Sequence, residues 1–148
     1  MKTFSVLLAS LSLLLTACNA SSLPVRDLTV GKVVFRTEIA SNPAERERGL
    51  MQRATLPETS AMLFVFPEES QRVFWMKDTP LPLSIAYISK QGVVKEILDM
   101  APFSLAAVPS LHAVMYALEV NQGAFTRLGV HVGDQMNLDG LKGLSEAR

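Results

Sequence analysis

The chain has 148 residues, of which 49% are hydrophobic, and its 14 basic and 14 acidic residues leave a formal net charge of zero. This length indicates a single domain. The balanced charge, without a basic tract or an acidic tail, argues against a nucleic-acid-binding protein and against a disordered chain.

The first residues have the pattern of an export signal, with Lys2 followed by an apolar run over residues 4–15. Such a run is too short to cross ~30 Å of hydrocarbon as a helix, but it suits the apolar part of a signal peptide. The sequence LTAC at residues 15–18 resembles a bacterial lipobox. The resemblance implies a lipoprotein signal peptide over residues 1–17, cleavage before Cys18, and lipid attachment to that cysteine.

A lipidated Cys18 would hold the protein at a membrane, because each buried methylene contributes ~0.8 kcal/mol and several acyl chains act together. The predicted location is the periplasm-facing cell envelope, and Asn19 favours the outer membrane over the inner by analogy with bacterial sorting. An ordinary signal peptide with an incidental cysteine is the alternative. Cys18 is the only cysteine, so the mature domain has no disulfide and no thiolate metal site. Residues 18–27 are interpreted as the lipidated tether.

The first predicted elements of the domain are a strand and a short helix. Residues 33–39 alternate between apolar and polar side chains, which is typical of a half-buried strand. Asn42, Pro43 and Glu45 then form the pattern of a helix N-terminus with a capping box. Gly49 can adopt the left-handed backbone that ends such a helix.

The middle of the chain predicts several strands. Residues 62–66, MLFVF, are a continuous apolar run typical of a strand covered on both faces. Residues 73–79, VFWMKDT, are expected to pair with it until Pro80 ends the strand, because proline cannot donate a ladder hydrogen bond. Residues 90–92, KQG, lie between two apolar stretches and predict a β-hairpin.

The last part of the predicted domain, which ends at residue 138, begins with a long apolar loop over residues 101–111. A strand over 112–120, a short helix capped by Asn121 and a final strand over 130–138 follow, and residues 139–148 are interpreted as a loose tail. Many short strands with one or two brief helices predict a mainly β domain with a minor helical part. We expect a compact, mostly antiparallel β-sheet or a small barrel-like domain over residues 28–138.

Four motifs occur in a specific order and spacing: GLMQR at 49–53, MLFVF at 62–66, FWMK at 74–77 and LEVNQG at 118–123. Together they resemble the family called domain of unknown function 192, also named uncharacterised protein family 0127. The resemblance covers roughly residues 28–138 and implies a compact β-rich fold found in bacterial and archaeal proteins that are often exported. It implies no biochemical activity.

Three positions depart from the usual pattern of that family. Ala61 stands where a glycine commonly precedes MLF, Asp78 replaces the usual asparagine, and Ser84 replaces the usual aspartate. If the aspartate at the position of Ser84 is catalytic in relatives, this chain lacks that catalytic residue.

The candidate binding residues are Arg53, Trp75, Lys77, Asp78 and Glu119. A guanidinium can bind a carboxylate or phosphate through two hydrogen bonds, although Arg53 can equally fix its own loop to Asp78 or Glu119. Trp75 before a proline exit can form one wall of a groove, with Lys77 beside it, or can simply cover an apolar gap. No catalytic residue, cofactor or metal site is predicted, because the chain contains no recognised catalytic or phosphate-binding motif.

The leading hypothesis is a lipid-anchored envelope domain that binds a small molecule, a peptide or an envelope protein, and no nucleic acid. Its site would lie where residues 49–53, residues 75–82 and the loop 101–111 meet. One alternative is an envelope hydrolase that uses Asp78 or Glu119 with Arg53. Another is a copper carrier, since Trp75, His112 and thioethers can suit Cu(I). The methionines of the predicted mature chain are Met51, Met62, Met76, Met100, Met115 and Met136. A purely structural role is the fourth interpretation.

Overall fold

The computed structural model describes residues 23–143, and the predicted signal peptide and Cys18 lie outside this part of the chain. The described part contains eight strands: β1 Val25–Val30, β2 Val33–Ala40, β3 Ser60–Ser70, β4 Val73–Phe74, β5 Leu83–Ile88, β6 Val94–Met100, β7 Val108–Pro109 and β8 Val114–Asn121. It also contains two short helices, α1 Pro43–Arg48 and α2 Ala124–Leu128, and a 3₁₀ turn at Asp139–Leu141. The prediction of a mainly β domain with one or two short helices is confirmed.

Six strands form one sheet in the order β1-β2-β3-β8-β5-β6, and β4 pairs with β7 in a separate two-stranded sheet. All neighbours are antiparallel except β2 and β3, which are parallel because α1 and the turn after it carry the chain back to the same end of the sheet. The segment after α2 links the two edges of the large sheet. Met136 pairs with Val30 at the end of β1, and Gln135 pairs with Val93 just before β6. The sheet is therefore barrel-like at this end.

The central strands β3, β8 and β5 bury both of their faces. On one face, Leu63, Ala86 and Leu118 pack with Phe125 of α2. The other face carries a second core that is covered by the connections between strands instead of by a helix. The residues of this second core that come from the sheet include Met62, Phe64, Leu83, Ile85, Tyr87 and Ala117.

Two local predictions are confirmed in detail. In α1, the Asn42 side chain accepts a hydrogen bond from the Glu45 backbone N–H and the Glu45 carboxylate accepts one from the Asn42 N–H, which is the predicted capping box. The β5–β6 hairpin forms as predicted, and its Gly92 has a φ of +85°, a conformation that glycine adopts without a Cβ penalty.

The predicted pairing of residues 73–79 with residues 62–66 is wrong. β3 instead pairs with β2 and β8, and the regular strand after it is only Val73–Phe74, which pairs with β7. The physical reason is that the β8 segment offers eight consecutive residues for pairing, whereas the chain beyond Phe74 turns over the face of the sheet.

The C-terminal part also differs from the prediction. Residues 130–138 form isolated bridges and no regular strand, and α2 before them has Gly123 as its N-cap, which provides no side-chain cap. Asn121 does not cap it, because its side-chain amide donates to the Leu56 carbonyl instead. At the other end, β1 begins at Val25, within the predicted tether. Residues 139–141 form an ordered turn rather than a loose tail, and the last of them packs against the first core.

Candidate functional site

A cavity of about 330 Å³ lies between the second core face of the sheet and the segments that cover it. The sheet contributes Phe64 of β3, Leu83 of β5 and Glu119 of β8. The remaining walls come from α1 with the turn after it and from the segment around β4. We call this space the Glu119 cavity, because that residue is the buried charged group on its sheet wall.

The turn after α1 forms one wall because Gly49 lets the chain pass close to the sheet. Gly49 has a φ of +45°, and a Cβ at this position would lie 3.2 Å from the Phe64 ring. Leu50 is then buried in the second core, and Met51 lines the cavity. The GLM part of the sequence motif is thus explained by a close backbone approach to an aromatic ring.

Backbone hydrogen bonds join the three covering segments. The N–H of Gln52 donates to the carbonyl of Asp78 at 2.7 Å, and the N–H of Phe103 donates to the carbonyl of Thr79 at 3.0 Å. Gln52, Asp78 and Phe103 all have a positive φ, between 52° and 60°. Non-glycine residues adopt this conformation only where their surroundings hold them in it, and such residues cluster at functional sites. The three segments that the sequence places around the candidate site do lie together.

Glu119 lies in the middle of an apolar face. Its strand neighbours are Met62 on β3 and Ile85 on β5, and both belong to the second core. The residue is only 4% exposed, and within residues 23–143 its carboxylate has no hydrogen-bond or ion-pair partner. Burial without a compensating partner raises the pKa of Glu119 to about 8. The folded protein therefore carries this group largely as the neutral acid at neutral pH.

Tyr87 is the titratable neighbour of Glu119 on β5. Burial raises the pKa of the Tyr87 hydroxyl, and the nearby Glu119 and Glu96 carboxylates raise it further. The hydroxyl donates a hydrogen bond to the Val108 carbonyl at 2.5 Å. This bond holds β7 over the sheet, so Tyr87 acts on the covering loop rather than as a partner of Glu119.

The covering walls of the cavity carry more positive than negative charge. Arg46, Arg48 and Arg72 line them together with one acid, Glu47. The Phe66 ring lies between two of these guanidinium groups, 4.1 Å from that of Arg72 and 5.4 Å from that of Arg46. Among the described residues, the buried Nε of Arg72 has no hydrogen-bond partner, although its Nη2 donates to the Glu68 carbonyl. The cavity thus combines a buried acid without a donor on its sheet wall with guanidinium groups on its other walls.

Trp75 separates the cavity from a second depression of about 280 Å³, which Val73, Phe74, Leu105 and Ala107 also line. The Trp75 side chain is 54% exposed and Leu105 is 69% exposed. The Lys77 ammonium lies 5.9 Å from the Trp75 ring centre, within range of a cation–π contact. We call this exposed surface, formed by Val73, Trp75 and Leu105, the apolar rim.

The structure separates the other candidate residues from the cavity. Arg53 forms a two-pronged ion pair with Glu38 on β2, with both N–O distances at 2.5 Å, so it fixes its own turn to the sheet. Neither Arg53 nor Asp78 lines the cavity. The arrangement required for the hydrolase alternative, Asp78 or Glu119 together with Arg53, is therefore only partly present, because Glu119 alone faces the cavity.

The three departures from the family pattern have structural explanations. Asp78 occupies a left-handed position that asparagine and aspartate both tolerate better than other side chains. Ala61 is buried in the first core, where its Cβ is accommodated. The Ser84 hydroxyl donates to Asp99 and accepts from the Gly123 N–H at 2.8 Å. Because strand residues alternate, Ser84 faces away from the cavity-lining Leu83.

The methionines and histidines are mostly structural. Met62, Met76 and Met100 are buried in the second core. His112 lies beside Glu96, with Nδ1 2.9 Å from the carboxylate oxygen. Residues 23–143 contain no group of three or more His, Cys, Asp or Glu side chains placed to hold a metal ion.

The sequence did not single out the arginines of the cavity, Arg46, Arg48 and Arg72. Arg46 and Arg48 belong to the polar pattern of α1, and Arg72 lies in a connection between strands. The sequence does contain a signal that Glu119 is unusual. An acidic residue within the apolar strand YALEV either faces solvent or is a buried polar group, and buried acids are rare unless they are paired.

Comparison with known proteins agrees with the motifs. The sequence profile of DUF192, described as an uncharacterised ACR, matches residues 26–138. The chain belongs to the DUF192 family. A crystal structure of a candidate transcription regulator from Sinorhizobium meliloti 1021 is 32% identical, with a TM-score of 0.77 over 80% of this chain and 97% of that one.

A second solved structure is similar to the same extent. It is a protein of unknown function from Novosphingobium aromaticivorans DSM 12444, 31% identical, with a TM-score of 0.77 over 80% of this chain and 89% of that one. No curated protein sequence matches this DUF192 chain. Among residues 23–143, none of the helices has the length and apolar character needed to span a membrane.

Proposed function

We propose that this DUF192 protein is a lipid-anchored cell-envelope domain that binds a small molecule in the Glu119 cavity. The observation that carries the proposal is the cavity itself: a space of about 330 Å³ with mostly apolar walls and a few charged groups. Ligand sites have this composition and begin at about this size. Loop segments that backbone hydrogen bonds join to one another form part of the walls over the sheet, which is a usual setting for binding.

The apolar rim supports the same proposal. Trp75 and Leu105 remain exposed although the domain buries a large core elsewhere. Exposed apolar patches that border a cavity are typical of binding surfaces. A role in transcription, the description given to the S. meliloti protein, is not carried over, because this chain has zero formal charge and no basic tract.

Trp75→Ala is expected to weaken binding of an amphipathic dye by about tenfold, because truncation of a central aromatic side chain removes more contact energy than other changes do. The dye is 1-anilinonaphthalene-8-sulfonate, and its fluorescence is titrated with the mature protein. Leu111→Ala is the matched control, since Leu111 is an exposed apolar side chain that lines neither depression. Equal affinities for wild type, Trp75→Ala and Leu111→Ala would show that the site is misplaced, and the absence of saturable binding would contradict the proposed function.

The lipid anchor has its own test. Protein purified from its native cells is expected to begin at Cys18 and to carry fatty acids there, as intact-mass and peptide analysis would show. Cys18→Ser is expected to move the protein from the membrane fraction to the soluble fraction. A mature chain that begins elsewhere or carries no acyl groups would contradict the anchor and leave the cavity proposal standing.

A further inference from the structure

We infer that the Glu119 cavity takes a small zwitterion: a molecule with an apolar body, an ammonium group that binds Glu119 and a carboxylate that binds the arginine side. This inference rests on the proposed function of the cavity and names the ligand class. Amino acids and short peptides share this chemistry and differ in the separation of their two charges.

The first step of the argument concerns Glu119. A carboxyl group on an apolar face is costly unless it is paired, and here no described residue pairs with it. Its place on the cavity wall makes it accessible to a bound molecule. An ammonium group satisfies a buried carboxylate through both charge and hydrogen bonds, which a neutral or anionic ligand does not do.

The second step concerns the opposite wall. The covering walls hold three cations, Arg46, Arg48 and Arg72, against the one acid Glu47, and like charges repel each other, so a ligand with only a positive charge would meet net repulsion there. A carboxylate on the ligand turns that repulsion into attraction. Arg72 lies on the cavity wall, and guanidinium groups match carboxylates in geometry.

The third step concerns the body of the ligand. Between Glu119 and the arginines the cavity is lined by the rings of Phe64, Phe66 and Phe74 and by the thioether of Met76. These rings pack edge to face, with Phe74 centred 5.0 Å from Phe64 and 6.3 Å from Phe66. An aromatic or branched apolar side chain fits walls of this kind.

Binding of such a ligand also moves a proton. The charged and titratable groups near Glu119 are Tyr87 on β5 and, around the cavity, Arg46, Glu47, Arg48 and Arg72. Because burial keeps Glu119 protonated at neutral pH, an incoming ammonium group stabilises its ionised form, and the carboxyl proton leaves to the buffer. The ammonium group keeps all of its own protons.

The test compares three probes that share one apolar body: L-phenylalanine, phenethylamine, which lacks the carboxylate, and 3-phenylpropanoate, which lacks the ammonium group. L-phenylalanylglycine is a fourth probe, with its charges farther apart. We expect the better of the two zwitterions to bind wild type about tenfold more tightly than either singly charged probe, measured by NMR shift titration. Titration calorimetry at neutral pH in buffers of different ionisation enthalpy is expected to show proton release with the zwitterion and none with 3-phenylpropanoate.

Two variants separate the contributions of the two ends. Glu119→Gln is expected to abolish proton release and to make the zwitterion bind no better than 3-phenylpropanoate. Arg72→Gln is expected to make the zwitterion bind no better than phenethylamine does. Leu111→Ala, the control, is expected to leave the affinity for every probe unchanged. If 3-phenylpropanoate binds wild type as tightly as the zwitterions, or if Glu119→Gln keeps their advantage, the zwitterion inference is wrong while the cavity remains a binding site. If neither these probes nor the dye binds, the proposed function fails with it.

Discussion

Glu119→Gln is expected to be more stable than wild type at pH 8, by on the order of 4 kcal/mol. The pKa of Glu119 is raised from 4.5 to about 8 in the folded protein, because burial penalises the charged form. The neutral amide of glutamine has nearly the same shape as the protonated carboxyl group. At pH 8 ionisation of Glu119 stabilises the unfolded wild type, and the unfolded variant has no such stabilisation. The measurement is urea unfolding of both proteins over a range of pH.

The sign of the pH dependence follows from proton binding. Below pH 4.5 both the folded and the unfolded wild type hold the Glu119 proton, so the group does not affect stability. Between pH 4.5 and about 8 the unfolded chain loses this proton while the folded protein keeps it, so wild-type stability falls as pH rises. Glu119→Gln is expected to lack this decrease.

Glu58→Gln is the matched control, because Glu58 is an exposed carboxylate whose pKa is lowered by its hydrogen bond with Arg127. It is expected to keep the wild-type decrease in stability above pH 4.5. If Glu119→Gln shows the same slope as Glu58→Gln, the carboxyl group of Glu119 is not buried as described. If Glu119→Gln is more stable than wild type and does not bind the zwitterion, Glu119 lowers stability but is needed for binding. Such a trade-off between stability and function is common at functional sites.

The sequence predictions were accurate where a structure depends on residues close together in the chain, and inaccurate where it depends on residues far apart. The capping box of α1 and the turn at Gly92 were predictable because each depends on a few adjacent residues. The pairing of β3 with β8 was not, because the partners lie more than fifty residues apart and neighbouring apolar segments compete for the same edge. Where the partner of a strand is distant, alternation identifies the strand but not its neighbour.

The sequence predicted which segments surround the candidate site, but not which side chains line it. The segments around residues 49–53, 75–82 and 101–111 lie together as expected, and backbone hydrogen bonds join them. Arg53 was an attractive candidate from its motif, but its partner Glu38 lies on a strand whose register cannot be read from sequence. Arg72 faces the cavity because the chain folds over Phe66, and this contact depends on tertiary structure.

The loop 101–111, which contributes Leu105 to the apolar rim, is held by a second buried carboxylate, Glu96. Glu96 on β6 is 7% exposed and accepts hydrogen bonds from the backbone N–H groups of Leu111 and His112, at 2.8 and 3.0 Å. Burial alone would raise the pKa of Glu96, but these bonds and His112 together lower it. The pKa of Glu96 is lowered and that of Glu119 is raised, because only Glu96 accepts hydrogen bonds from neighbouring N–H groups.

Glu96→Ala is expected to cost about 2–4 kcal/mol of unfolding free energy, because it leaves two N–H groups beneath the loop without their acceptor. Native-state hydrogen exchange is expected to show faster exchange at Leu111 and His112. As the pH falls below 4.5, wild type loses the stability that ionised Glu96 provides, whereas the variant has none of it to lose. Glu58→Ala, which removes an exposed carboxylate, is expected to change stability much less than Glu96→Ala does. Equal stabilities of the two variants would show that Glu96 does not hold the loop, and the cavity wall formed by β4 would then need another support.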